Sequence, residues 1–210
     1  MWRVLQLADA AFPAGGFAHS AGLEAAVQLG AVADAAGVVG FARAALWQAG
    51  GAALPFVRAA RASVARAPDL DRRCEATLVS HVARRASRAQ GRAWLLAATE
   101  AFPEIEPALV GLRNAPRHLC VVFGATAGAL GIAEDDAVAV YLHAVLRGVL
   151  SAGVRLGKIG PLEAQREQAK LAAEAQRVLE MPEEDVAQTA PVLELYGALH
   201  DRLYSRLFQS

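Results

Sequence analysis

Between Arg72 and Ala101 the apolar residues Val79, Val82, Ala86, Ala89, Ala93 and Leu96 recur at spacings of 3, 4, 3, 4 and 3. That spacing lines up one face of an α-helix and does not fit the two-residue alternation of a strand. The pattern returns at Val138, Leu142, Val145, Val149, Ala152 and Leu156. It returns again at Val192, Leu195, Leu199, Leu203 and Leu207, which predicts an amphipathic tail helix. No window alternates in the β manner. The chain of 210 residues is therefore expected to be all-α. It should form a single-domain bundle of roughly eight to ten helices over residues 1–210.

Turn and cap residues divide the chain. Pro13, Gly15 and Gly16 predict an irregular N-terminal loop over residues 1–19. Ser20 and Asp34 suit helix N-caps, for helices reaching to about Leu29 and Ala49. Gly50-Gly51 reads as a break, Pro55 as the first turn of a third helix, and Pro68 as that helix's end. Pro103, Pro107 and Pro116 mark further boundaries before an apolar helix over about 117–130. Glu134, Asp135 and Asp136 suit a first turn, where the helix dipole favours negative charge. Gly160-Pro161 starts another helix and Pro182 stops it; Glu183, Glu184 and Asp185 then read as one more first turn.

Composition narrows the function. The chain is 55% hydrophobic and 20% charged, too apolar for disorder. Lys+Arg and Asp+Glu are both 21, so net charge predicts no polyanion partner. From Arg58 to Arg92, however, nine arginines face only Asp69, Asp71 and Glu75, a local excess of +6. The arginine-rich helix over 72–101 keeps a nucleic-acid-associated role open as the alternative reading. The stretch lacks the aromatic residues that stack on bases, which favours a solvated or protein-facing surface. Two cysteines, Cys74 and Cys120, make no disulfide framework and fit a reducing cytosol. No secretory signal is legible, and the longest uncharged run, Leu119 to Ala133, is short for a bilayer span.

Motifs for chemistry fail on inspection. His19-Ser20-Ala21-Gly22 lacks the first glycine and the preceding strand of a nucleophile elbow, so Ser20 reads as a cap. Gly153 to Lys158 has three residues between its glycines where a phosphate loop needs four, and Ile159 replaces the magnesium-binding hydroxyl. The five histidines have no partner at i+3 or i+4; His19 and His200 are the better candidates for ligation. Gly124 and Gly128 in the apolar helix predict close helix packing, with a dimer seam as the other use. Arg147, Arg155, Lys158 and Gln165 form a polar elbow between two apolar arms, broken by Gly157, Gly160 and Pro161.

Four stretches resemble the urease accessory protein UreF family, in the family's order. They are LQLADAAFPAGGFAHSAGLE from Leu5 to Glu24, RASRAQGR from Arg85 to Arg92, the elbow from Leu146 to Gln165, and HDRLYSRLFQS from His200 to Ser210. The elbow is similar to the longer GPL-x-A-Q form of plant and fungal members, not the PLGQ-like bacterial form. The resemblance implies a cytoplasmic, homodimeric, non-enzymatic maturation factor. Such a factor bridges a UreD/UreH-type protein and the UreG-type GTPase, and regulates that GTPase, for nickel insertion into the urease apoprotein. Nickel binding and GTP then belong to the complex, with no catalytic, cofactor or metal residue in this chain. Carried over by motif, Phe12, Pro13, Gly15, Gly16, His19, Ser20 and Glu24, with Arg147, Arg155, Lys158 and Gln165, face the UreG-type side. His200, Leu203, Arg206, Leu207 and Phe208 in the tail 198–210 face the UreD/UreH-type side, with Leu and Phe as anchors. Gly15, Gly16, Gly160 and Pro161 equally suit a purely turn-shaping role.

Overall fold

A computed structural model of the chain describes residues 1–182 and 185–210. Its described residues form eleven α-helices joined by short 3₁₀ turns, one more than the upper expectation, and no strand. The helix α8 (Leu119–Ala129) lies at the centre, with eight of its eleven residues buried. It packs between α4 (Leu54–Ala62) and α6 (His81–Ala101). Gly124 and Gly128 explain the approach to α4: a Cβ there would lie 2.3 Å from the Val57 carbonyl oxygen and 2.4 Å from that of Arg61. The glycine pair is thus an internal helix seam. On the other side Gly91 of α6 meets the Arg117 carbonyl, 1.9 Å from where a Cβ would stand. Around this centre α9 (Glu134–Arg155) packs on α3 (Ala35–Ala52) and α10 (Pro161–Leu179). One continuous apolar core runs from Leu7 to Phe208.

Several boundaries fall as the caps predict. Asp34 accepts a hydrogen bond from the Gly37 N–H, Pro55 sits in the first turn of α4, and Pro161 opens α10. The acidic triplet Glu134–Asp136 occupies the first turn of α9. By length and apolar character α9 could cross a membrane, yet half of its most apolar window is buried inside the protein.

Other boundaries differ for packing reasons. The N-terminal loop begins with a helix, α1 (Trp2–Ala8), because Leu7 is drawn onto α9. Gly50 and Gly51 do not break α3; they continue it where Val178, Met181 and the Ala187 carbonyl come close. Pro68 opens α5 (Ala67–Thr77) instead of closing the helix before it. The long periodic segment splits at Leu78–Ser80, and the Ser80 hydroxyl caps α6. The buried residues of α6 are Val82, Gly91, Trp94 and Ala98, whereas Val79 and Leu96 are exposed. Alanine carries little facial information, and the true seam runs through a glycine and a tryptophan.

The tail departs most. α11 (Pro191–Leu199) ends in a 3₁₀ turn at His200–Arg202, and residues 203–210 run on without helix. Val192, Leu195 and Leu207 are exposed, and His200 and Phe208 are buried instead. Glu183 and Glu184 lie outside the described residues, and Asp185 is not in a helix.

Beneath α6 a polar hub is buried among α5, α6 and α8. Asp71, fully buried, accepts the backbone N–H groups of Arg117 and His118. It thereby holds Arg117 at φ 68, a left-handed conformation unusual for a side chain of this size. His118 places Nδ1 3.1 Å from the Ser87 hydroxyl and Nε2 2.7 Å from Glu75. Glu75 also takes Arg88, whose guanidinium leads the interactions that hold its carboxyl down at about 2. Cys74 and Cys120 meet beside the hub as free thiols, sulfurs 3.6 Å apart. The contact with Cys120, and then burial, pushes the Cys74 thiol far up, which leaves it a packed, unreactive group.

Candidate functional site: the junction of loop, elbow and tail

The junction is built on α2 (Leu23–Gln28). Ala21 and Gly22 turn left-handed, at φ 53 and 90, and drop the chain into this short helix. The N-cap is Gly22 and not Ser20, because the left-handed turn at Ala21 and Gly22 starts the helix two residues late; the Ser20 hydroxyl still accepts from the Glu24 N–H at 3.4 Å. Gly22 is required because α11 crosses there: a Cβ would stand 2.8 Å from the Gly197 nitrogen. That crossing brings the tail back over the N-terminal loop.

Glu24 is the anchor of the junction. It is 2% exposed, and three groups of the tail converge on its carboxylate. The Leu207 N–H donates at 2.6 Å, the Phe208 N–H at 3.2 Å, and His200 Nε2 lies at 3.0 Å. A buried carboxylate is tolerated where donors satisfy its oxygens, as here. The tail's last residues pair with the loop like a short ribbon. The Gln209 N–H donates to the Ala18 carbonyl at 2.8 Å, and the Ser20 N–H to Ser210 at 2.6 Å. The Ser20 hydroxyl also donates to the Ser210 carbonyl, and His19 Nδ1 lies 2.5 Å from the Ser210 hydroxyl. Ser20 and His19 are thus each engaged by Ser210, and not by one another as nucleophile and base. Burial, with His200 and Arg85 nearby, lowers the His19 pKa and so favours its neutral imidazole.

The elbow closes the junction from below. Arg155, in the last turn of α9, donates to the Phe17 carbonyl. Its guanidinium is sandwiched between two rings, 3.9 Å from the Phe17 centroid and 4.2 Å from that of Phe208. A planar cation between aromatic faces suits arginine and not lysine. Arg147, two turns earlier, donates to the Ala8 carbonyl at 2.6 Å and so ties down the end of α1. Phe12 pins the loop to the core through the ring series Phe12, Trp94, Phe123 and Tyr141, with centroids 4.7, 5.0 and 5.4 Å apart. Under the loop lies a cavity of about 370 Å³, faced by His19, Tyr141, Arg147 and Arg155 among mostly apolar neighbours. Gly15, at φ 71, lets the loop pass Ala93.

The stretch from Arg85 to Arg92 enters through Arg85. It forms a two-pronged pair with Asp201, at 2.9 and 2.6 Å, and Asp201 also takes His81 and Arg206. Arg85 leads the interactions that hold the Asp201 carboxyl at about 2. Its neighbours Ser87 and Arg88 face the buried hub, and Gly91 the Arg117 carbonyl. Loop, α6 stretch, elbow and tail therefore touch one another, with Ala18 and Ser20 of the loop bonded to Gln209 and Ser210 of the tail, Arg155 of the elbow stacked on Phe208, and Arg85 of α6 paired with Asp201. Residues 32–172 match the profile of the UreF family. A urease accessory protein F of Arabidopsis thaliana is 36% identical over 225 aligned positions, covering 100% of this chain and 92% of its own. One of Oryza sativa subsp. indica is 35% identical, covering 99% of this chain and 84% of its own. UreF of Mesorhizobium japonicum is also 35% identical, over 99% and 95%.

The chain belongs to the UreF family of urease accessory proteins.

The structure sorts the UreF-type candidates into three groups. Phe12, His19, Ser20, Glu24, Arg147, Arg155, His200 and Phe208 are brought together, and most are engaged within the chain. Leu203, Arg206 and Leu207 surround the junction, with Leu207 54% exposed. Lys158 and Gln165 stand apart on the turn and first turns of α10, and neither lines the cavity. Asp201, Gln209 and Ser210 lie in the fourth UreF-like stretch but were not among the residues given a partner side. The signal for Asp201 was a lone acid in a basic tail, facing an arginine-rich helix. Among the described residues no group of three or more His, Cys, Asp or Glu side chains is placed to hold a metal ion. Six of the nine arginines from Arg58 to Arg92 lie in ion pairs, which removes much of the charge a phosphate backbone would need.

Proposed function

We propose that this UreF-family chain is a non-enzymatic scaffold of urease maturation. It bridges a UreD/UreH-type protein and a UreG-type GTPase for nickel insertion into apo-urease, as a homodimer in the cytoplasm. Nickel and GTP are handled by the partners, and the chain positions or regulates the GTPase. The observation that carries this reading is the convergence of all four UreF-like stretches on the loop–elbow–tail junction. A surface that several distant segments jointly shape is what a scaffold needs, because a partner that touches one segment is coupled to the others through Glu24 and Arg155.

In this reading the two partner types take different sides of the junction. The tail's outer side, with exposed Arg206 and Leu207 and half-buried Leu203, serves the UreD/UreH-type side. Phe208 and His200 face inward and shape that side from beneath. The loop and elbow, with Pro13, Gly16, Lys158 and Gln165, serve the UreG-type side. Co-purification of the tagged chain with both partner types tests the scaffold reading. A chain that retains neither partner overturns it.

A further inference from the structure

A second surface lies beside the junction. Between residues 6–13 and the second half of α6 runs an open groove of about 660 Å³. Its apolar lining includes Phe12, Pro13, Ala93, Ala97 and Leu96, the last 64% exposed. From Ala93 to Ala101 the groove follows α6 for about 12 Å at 1.5 Å per residue, a little over two helical turns. Alanine at 93, 97 and 101 makes the lining shallow and lets another helix approach closely. Leu96 belongs to the apolar stripe of α6 of which only Val82 is buried, so this apolar face is left without a partner among the described residues.

The rim carries charge of one sign. Asp9 and Glu100 line the groove, are exposed, and form no ion pair among the described residues. The neighbouring acid Glu104 is already matched by Arg3. Arg92, one turn before Leu96, lies outside the groove lining. An occupant must therefore offer apolar side chains at helical spacing to the alanine lining and cations to Asp9 and Glu100. The acidic helix α11, with Glu194 among its exposed apolar residues, does not offer that pattern from a second copy.

We infer that this groove is a docking site for an amphipathic helix of a partner protein, with apolar anchors at i, i+3 or i+4 and i+7 flanked by lysine or arginine. The helix lies along α6, its anchors against Leu96, Ala97 and Phe12. Its basic flanks meet Asp9 and Glu100, which set orientation and rate of capture more than affinity. The groove shares Phe12 and Pro13 with the loop given above to the UreG-type side, and the inference does not depend on which protein supplies the helix.

The test uses the full chain and two fluorescein-labelled synthetic helices of about sixteen residues, each long enough to span the groove. Both carry the same leucine anchors; one is flanked by lysines and the other by glutamates. Fluorescence anisotropy is expected to show the lysine peptide bound roughly fivefold or more tighter, with the difference shrinking as salt is raised. Glu100→Lys should weaken that preference, and Leu96→Glu should lower affinity for both peptides roughly tenfold. Both residues are exposed, so circular dichroism should be unchanged. Equal binding of the two peptides, no binding of either, or binding indifferent to Leu96→Glu overturns the inference. So does light scattering that shows Leu96→Glu converting a dimer to a monomer, because the groove would then be filled by a second copy.

Discussion

Glu24→Ala removes the acceptor on which the tail is hung. Three donors lose their partner: His200 Nε2 and the N–H groups of Leu207 and Phe208. Hydrogen bonds to a charged group contribute about 1.5–3 kcal/mol each, so the three together are worth about 4.5–9 kcal/mol if the tail stays in place. The tail need not stay. Residues 203–210 carry no helix of their own, so they can lift off as a segment and give their N–H groups to water. The loss of global stability is therefore capped at the docking free energy of this segment. Tm should fall by less than the three bonds imply at about 2–4 °C per kcal/mol. The local effect should be large. Amide hydrogen exchange at Leu207 and Phe208 should accelerate about 100-fold or more, since each 1.4 kcal/mol is a factor of ten. The amides of Val121 and Val122 in the centre of α8 should change only as far as global stability does. Glu24→Gln keeps one carbonyl acceptor and should fall between. Unchanged protection at Leu207 and Phe208 in Glu24→Ala would refute the reasoning and show that the tail is held by Arg155 and the Ser20 ribbon alone.

Arg155→Ala and Arg155→Lys should both reduce urease activation in a reconstituted system, because lysine cannot fill the slot between Phe17 and Phe208; Tm should fall less than activation does, and a parallel fall would make the elbow purely structural. Gly91→Ala should cost about 3 kcal/mol or more in urea unfolding because its Cβ would strike the Arg117 backbone, while Gly148→Ala, which meets nothing within 4 Å, should stabilise α9 by about 0.5–1 kcal/mol. Glu75 and Asp201 both have folded pKa values of about 2, below their usual range near 4. Their contribution is present above the usual carboxylate range and is lost as pH falls towards 2. Asp71, raised by burial, works in the opposite direction over its own range. Chemical denaturation should therefore show stability falling as pH drops from about 4.5 to 2, with a shallower fall in Glu75→Gln.

Helix type and most helix starts were legible because caps and first-turn prolines act locally: Asp34, Pro55, Pro161 and the Glu134 triplet all sit where their chemistry requires. The face that each helix buries was less legible. In α6 the regular Ala and Val spacing pointed to one stripe, yet Trp94 and Gly91 on another carry the contact with α8. A glycine that closes a helix crossing looks in sequence like a glycine that breaks a helix, which is why Gly50 and Gly51 were misplaced. The tail was misread for a related reason. Its leucines keep helical spacing, but Glu24 captures the N–H groups of Leu207 and Phe208, and a helix would have used those donors itself. The residues of the junction were found as motifs, whereas their meeting place rests on contacts across more than 130 residues that no local pattern encodes.

The central claim is that the junction of loop, elbow and tail couples two partners on one scaffold. A single pull-down tests it most directly: tagged UreD/UreH-type protein as bait, this chain as the bridge, and UreG-type GTPase as prey, with nickel and GTP present. The account predicts that the GTPase is recovered only when the chain is included, and that Glu24→Ala or Arg155→Ala lowers its recovery while the chain remains folded. Recovery of the GTPase without the chain, or recovery indifferent to both substitutions, would contradict it.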